Sequence, residues 1–230
     1  MHKANVAFGL PRAPVIGRTA ELFHFSKRIT CRVATSHVER DAIFKLRYQS
    51  YLRGGIIAKN VFGRFVEAAD HTANTYLIGL YDNNKLISSL RLQIGSSITP
   101  HLSSRELFPD VFEPLLASHN TILEMSCVAA DTGLSGPYRW LPYLTLRSWL
   151  VAAEHFHADY IVTAAQPQHL YLYQQTLGCE LNPELRQPPH RLAPVGLAML
   201  NFAASAESLY ENLPFLRSAP AERQQLFEPE

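Results

Sequence analysis

The stretch TYLIGLYDNNKLISSLRLQIG, Thr75 to Gly95, consists of two apolar runs joined by Asp82-Asn83-Asn84-Lys85. Short apolar runs broken by residues that tolerate tight turns are the local signature of an antiparallel β-hairpin. One residue is out of place: Arg91 lies inside the second run. Further along, TILEMSCVAAD (Thr121 to Asp131) reads as another strand, also with a charge in its middle. Ile122, Leu123, Met125, Val128 and Ala129 are residues of a buried strand. Glu124 among them is costly unless paired, hydrogen-bonded or protonated. Side chains alternate along a strand, so Glu124 and Ser126 share a face and Cys127 is expected on the opposite, core side.

Before the hairpin, KRITCRVAT (Lys27 to Thr35) alternates as a half-exposed first strand. Ser36 is a favourable N-cap for the helix HVERDAIFKLRYQSYL, which Gly54-Gly55 stops. Ile56 to Asn74 has no period and reads as a long connection. After the hairpin, Pro100 to Ser118 is a short helical or irregular excursion. Pro137 to His157 is an apolar helix in which Pro142 marks either a kink or the true start. Ala158 to Gln166 is a short buried strand, and PQHLYLYQQTLG is a helix ending at Gly178. His190 to Phe202 is a last strand, with Pro194 as a possible interruption, and Ala206 to Arg217 is a short helix.

This order predicts an α+β fold around one mixed central sheet flanked by helices. The strand–helix–strand passage after Glu124 implies a right-handed crossover between parallel neighbours. Residues 1–25 read as an irregular N-terminal arm, 26–217 as a single domain, and 218–230 as a polar C-terminal tail.

The composition excludes several classes. With 21 basic and 20 acidic residues among 230, the formal net charge is +1, and no basic stripe points to nucleic acid. The cysteines Cys31, Cys127 and Cys179 are too far apart for a disulfide framework or close-spaced metal ligands, and they suit a reducing compartment. The histidines show no H-E-x-x-H pattern, so no metal is expected. No apolar run approaches the ~18 residues of a transmembrane span. Pro11, Arg12 and Pro14 interrupt any signal-peptide core. A bacterial-type cytoplasmic protein is expected.

Four places hold polar residues that a plain sheet protein would not need. These are Arg47 with Tyr51 one helical turn later in LRYQSY, Glu67 and Asp70 in VEAADHTANTY, Arg91 in ISSLRLQIG, and Glu124-x-Ser126. In this order and spacing the chain resembles the acyl-homoserine-lactone (autoinducer) synthases and their relatives, the long-chain N-acyl amino acid synthases. The resemblance covers about residues 36–132 by motif and extends to about residue 202 by topology. Asp70 precedes Tyr76 by six residues, as the family's second acidic residue precedes its strand aromatic, and Glu67 falls where the first lies.

The resemblance implies a GNAT-like fold and transfer of a fatty acyl group from acyl carrier protein, or from acyl-CoA, to the amine of an amino acid. No metal or redox cofactor is implied. Glu124 would be the catalytic group that holds or deprotonates the amine. Arg47, Tyr51, Glu67, Asp70, Arg91 and Ser126 would shape the substrate site. Two departures favour the amino acid synthase branch. Cys127 stands where the autoinducer synthases carry an Arg, and Ile56 to Phe65 lacks their Trp. The segment ADTGLSGPYRW also lacks the Q/R-x-x-G-x-G/A spacing with which coenzyme A users cradle pyrophosphate.

Each residue has a plainer reading. Glu124 and Arg91 would simply pair across adjacent strands, Arg91 would snorkel, Arg47 would be solvated, and Glu67 and Asp70 would be surface charges or caps. The aromatics Phe62, Phe65, Phe108, Phe112, Trp140, Tyr143 and Trp149 are core by default, with some lining an acyl tunnel if the resemblance holds. The rival functions are an autoinducer synthase using S-adenosylmethionine, an acetyl-CoA-dependent acetyltransferase, and a non-catalytic acyl- or carrier-binding protein.

Overall fold

The computed structural model describes residues 19–131, 133 and 136–228. Helix α1 (Thr19–Ser26) leads into β1 (Ile29–Val33) and α2 (His37–Arg53). The hairpin strands are β2 (Thr75–Asp82) and β3 (Lys85–Gly95). Helix α3 (Pro109–Ala117) precedes β4 (Ile122–Ala130), α4 (Leu141–His155) and β5 (Tyr160–Ala165). Then follow α5 (Pro167–Leu177), β6 (Glu180–Arg186), β7 (Val195–Asn201), α6 (Phe202–Asn212) and α7 (Pro220–Phe227). The strands form one sheet in the order β1-β2-β3-β4-β5-β7-β6. Among the described residues only β4 and β5 run parallel, as their helical crossover requires.

Local chemistry accounts for these boundaries. Ser36 caps α2 in a reciprocal box with Glu39. Asn83 and Asn84 turn the hairpin with φ of 48° and 65°, the left-handed pair that a two-residue connection needs. Pro142 lies in the first turn of α4, and Pro137 falls in a separate 3-10 turn, Gly136–Trp140. The last strand begins just after Pro194.

Three segments differ from the sequence reading. Residues 19–25, expected to be irregular, belong to α1 because Leu22 and Phe25, one turn apart, bury into the core. Residues 220–227 of the expected polar tail form α7, held by buried Leu226 and by ion pairs Arg147–Glu222 and Arg223–Glu154. Strand β6 was not foreseen. It is an edge strand without apolar alternation, and it tolerates Pro183 because an edge has N–H positions that need no partner. Residues 1–18 of the expected arm, Thr132, Leu134 and Ser135 of the ADTGLSGPYRW segment, and residues 229–230 lie outside the described residues.

Two irregularities in β4 position the site. First, β3 and β4 pair as Ser89↔Ala129 and then as Arg91↔Ser126, so Leu90 faces both Cys127 and Val128. This is a β-bulge, with Cys127 in the left-handed region at φ 51°. Second, β4 and β5 pair only from Ile122↔Tyr160 to Glu124↔Val162. Beyond Glu124 the two strands splay. The face of β4 carrying Ile122, Glu124 and Ser126 looks toward α2, α3 and the long loops, while Leu123 and Met125 pack under α4.

Candidate active site

Arg91 is fully buried on β3, so all of its polar reach must be satisfied by protein. Its Nε donates to Ser126 Oγ at 3.0 Å, directly across the strand pair. Its Nη1 donates to Asp70 Oδ1 at 3.3 Å, and its Nη2 donates to Glu67 Oε2 and Ser103 Oγ, both at 2.8 Å. Arg47, also fully buried, reaches down from α2 and donates to the same Asp70 Oδ1 at 2.7 Å. Asp70 sits in a 3-10 turn and accepts the Glu67 N–H at 2.8 Å, so the acidic loop is folded around the carboxylates it presents. Arg40 donates to the Asp70 carbonyl. The long connection therefore brings Arg47, Glu67, Asp70, Arg91 and Ser126 into one buried network. The plainer readings of Arg91 as snorkelling and Arg47 as solvated do not hold, because both side chains are 0% exposed.

Glu124 takes different partners from those expected. The register sets it opposite Gln93, two residues from Arg91, so the cross-strand ion pair does not form. Its partner is Ser104, whose N–H donates to Oε2 at 3.1 Å and whose hydroxyl donates to Oε1 at 2.7 Å. Burial pushes the Glu124 carboxyl above the ordinary carboxylate range, against the opposing pull of the Ser104 bonds and the nearby Arg91 charge. Tyr51 joins through packing: its ring lies 5.2 Å from that of Phe65, and the Arg191 guanidinium covers both rings at 5.8 and 5.7 Å.

The bulge overturns the expectation for Cys127. One extra residue reverses the alternation, so Cys127 follows Ser126 onto the same face and its thiol donates to Glu67 Oε2 at 3.3 Å. Arg191 Nη2 lies 3.7 Å from that sulfur and 3.1 Å from Glu67 Oε1. The position next to Ser126 thus has a guanidinium beside it, supplied from a distant loop. Burial still raises the thiol pKa, outweighing the arginines around it.

Sequence reasoning missed Arg191, Ser103, Ser104 and Gln93. They lie in loops or on a strand without any spacing that marks them, and only folding places them beside the network.

Burial works against the Glu67 carboxylate, but Arg191 and Arg91 overcome it and hold its pKa at about 2 instead of 4.5. A carboxylate with a depressed folded-state pKa stabilises the protein above its unfolded value and loses that contribution as the pH falls. Urea midpoints are therefore expected to drop between pH 4.5 and about 2, with a shallower decline in Glu67→Gln. Equal slopes in the two proteins would contradict this assignment.

Two hollows meet at this site. A cleft of about 1270 Å³ has Arg91, Glu124, Ser126, Ser104, Phe65 and Arg191 among its walls. A narrow crevice of about 100 Å³ occupies the β4–β5 splay and is walled by Met125, Val128, Leu146, Leu172 and Tyr173. Ser126, Ala164, Arg191 and Val195 line both. Of the aromatics named from sequence, Phe62 and Phe65 line the cleft, and Tyr51 lines the crevice. Phe108, Phe112, Trp140, Tyr143 and Trp149 are buried in the core. Among the described residues no helix is long and apolar enough to cross a membrane.

This fold has counterparts among solved structures. The structure of FeeM, an N-acyl amino acid synthase from uncultured soil microbes, superposes with a TM-score of 0.64 at 18% identity, covering 76% of this chain and 92% of FeeM. The acyl-homoserine-lactone synthase LasI follows at TM-score 0.52 and 14% identity, covering 74% and 88%. An acyl-CoA N-acyltransferase from Pseudomonas aeruginosa gives 0.50 at 16%, covering 74% and 97%. These likenesses establish the GNAT-like, acyl-CoA N-acyltransferase fold. No curated protein sequence matches the chain. The sequence profile of the N-acyl amino acid synthase FeeM family, however, matches residues 42–201. Because that match takes in every element from within α2 to the end of β7, the chain belongs to the FeeM family of N-acyl amino acid synthases and is an N-acyltransferase.

Proposed function

We propose that the protein moves a long-chain fatty acyl group from the thioester of acyl carrier protein to the amine of an amino acid. The observation that carries this reading is the meeting of a polar cleft and an apolar crevice at Ser126, where the β4–β5 ladder has just ended. The thioester carbonyl would lie at the splay. The acceptor amine attacks the carbonyl carbon, forming the C–N bond. The oxyanion is stabilised by β4 backbone N–H groups that β5 does not engage. Collapse breaks the C–S bond, and the carrier thiol leaves with a proton.

An α-ammonium group must first lose a proton. Glu124, made more basic by burial, takes it through the Ser104 hydroxyl, which donates to the carboxyl and lines the cleft beside it. The thioester brings its own activation, so the reaction calls for no further cofactor. A donor carried on a protein has one phosphate to be held. The absence of pyrophosphate-cradle spacing after β4 is therefore consistent with a carrier protein as donor.

At about 100 Å³ the crevice is below the ~300–1,000 Å³ of pockets that enclose drug-sized ligands, so a long tail must enter by displacing crevice side chains. The test is purified protein with long-chain and acetyl carrier thioesters and an amino acid mixture, read by mass spectrometry. The expected product is a long-chain N-acyl amino acid. In Val128→Trp, which fills the crevice, losing four buried methylenes at about 0.8 kcal/mol each should raise the KM for the long-chain donor by roughly 200-fold. The acetyl donor should be far less affected. Absence of any acyl amino acid with wild-type protein would defeat the proposal.

A further inference from the structure

Three guanidiniums face two carboxylates, Glu67 and Asp70, in the network beneath the cleft. The three differ in what they still offer to a ligand. Arg91 is fully buried, and each of its nitrogens already donates to protein. Arg47 has Nε and Nη2 without partners among the described residues, but it is fully buried and lines neither hollow. Arg191 is the exception. Only its Nη2 makes hydrogen bonds among the described residues, its side chain is 17% exposed, and it lines both hollows at their junction.

Arg191 is also held ready. Its guanidinium lies over the adjoining rings of Tyr51 and Phe65. Its carbonyl accepts Gln187 Nε2 at 2.6 Å, and the N–H of the next residue, Leu192, donates to Ile56 O at 2.9 Å. A cation fixed before the ligand arrives pays less entropy on binding. The other cations on the cleft wall, Lys59 and Arg64, are exposed, and Arg64 is already paired with Asp41.

We infer that Arg191 binds the α-carboxylate of the acceptor, so that the substrate is selected as a free amino acid rather than as a simple amine. The inference rests on the cleft being the acceptor site. An incoming carboxylate neutralises the third guanidinium and engages its unused N–H groups. In an α-amino acid one carbon separates the acid from the amine. An acid group held at the junction therefore leaves the amine beside Ser126, where the two hollows meet.

The test uses full-length protein with a long-chain carrier thioester and an equimolar mixture of the common amino acids and their carboxamides. Wild type is expected to acylate the acids in preference to the amides by about 100-fold in kcat/KM, as for loss of a charged hydrogen-bonded partner. In Arg191→Met the preference should collapse toward one, chiefly through a higher KM for the acid. Arg191→Lys keeps the charge without the planar fork, and should retain part of the preference. If Arg191→Met turns over too slowly to measure, equilibrium dialysis of the preferred amino acid against it replaces the kinetics, and unweakened binding overturns the inference. An unchanged acid-to-amide ratio in an active Arg191→Met also overturns it, while leaving acyl transfer standing. A wild-type protein that acylates neither set defeats the acyltransferase reading of the cleft itself.

Discussion

Arg91→Leu is expected to destabilise the protein by about 3–5 kcal/mol and to abolish acyl transfer. The cost comes less from losing the arginine than from what it leaves behind. Asp70 is 1% exposed and keeps only Arg47 as a charged side-chain partner. Glu67 keeps Arg191. Ser103 loses one of its two side-chain partners and keeps Gln93, and Ser126 loses its cross-strand donor. Leucine can neither fill the volume of a guanidinium nor hydrogen-bond to any of these groups. Against a typical total stability of about 5–15 kcal/mol, the loss would be a large fraction. Urea unfolding measures it directly, and a change below about 1 kcal/mol would mean that Arg47 and Arg191 suffice to hold the carboxylates. Arg91→Lys should fall between the two, because one ammonium cannot span Ser126, Asp70 and Glu67 at once.

Glu124→Gln is expected to lower kcat by about 10²–10⁴-fold, the usual worth of a positioned general base, with little loss of stability. The amide keeps a carbonyl oxygen to accept from Ser104, and it removes the burial penalty on a charge. The pH dependence gives a second readout. The Glu124 carboxyl is raised in the folded protein, so its base form, and with it the rate, should increase with pH through that raised value. The acidic limb should be absent in Glu124→Gln. Stability moves the opposite way. A raised carboxyl favours the folded state most fully below its unfolded pKa, and that contribution is lost as the pH climbs through the folded value. This is the reverse of Glu67, whose contribution is lost on acidification. If Glu124→Gln retained kcat within about threefold, Glu124 would be a structural carboxyl that anchors the Ser104 loop.

Much of this molecule was legible from the chain. Asn83-Asn84 between two apolar runs could hardly be anything but a hairpin turn, and Ser36 announced the start of α2. The charges inside strands, Arg91 and Glu124, drew attention because burial demands an answer for each. What could not be read was the answer itself. Arg91 and Glu124 read as natural partners on adjacent strands, yet the register sends Arg91 to Ser126 and gives Glu124 to Ser104. Period two places Cys127 on the wrong face, because strict alternation has no way to register a bulge.

The sequence by itself determined most of the strands and helices between α2 and β7, that β4 and β5 run parallel, and that a set of buried charges must be compensated. These follow from local periodicity, capping and the cost of burying charge, all of which act within a few residues. Only the tertiary structure decided which compensating group each charge received, where β4 and β5 part, and that Arg191, 124 residues beyond Glu67 in sequence, closes the network. Those outcomes depend on how distant loops pack over the sheet. That packing is settled by the summed fit of many surfaces, which no short stretch of the chain contains.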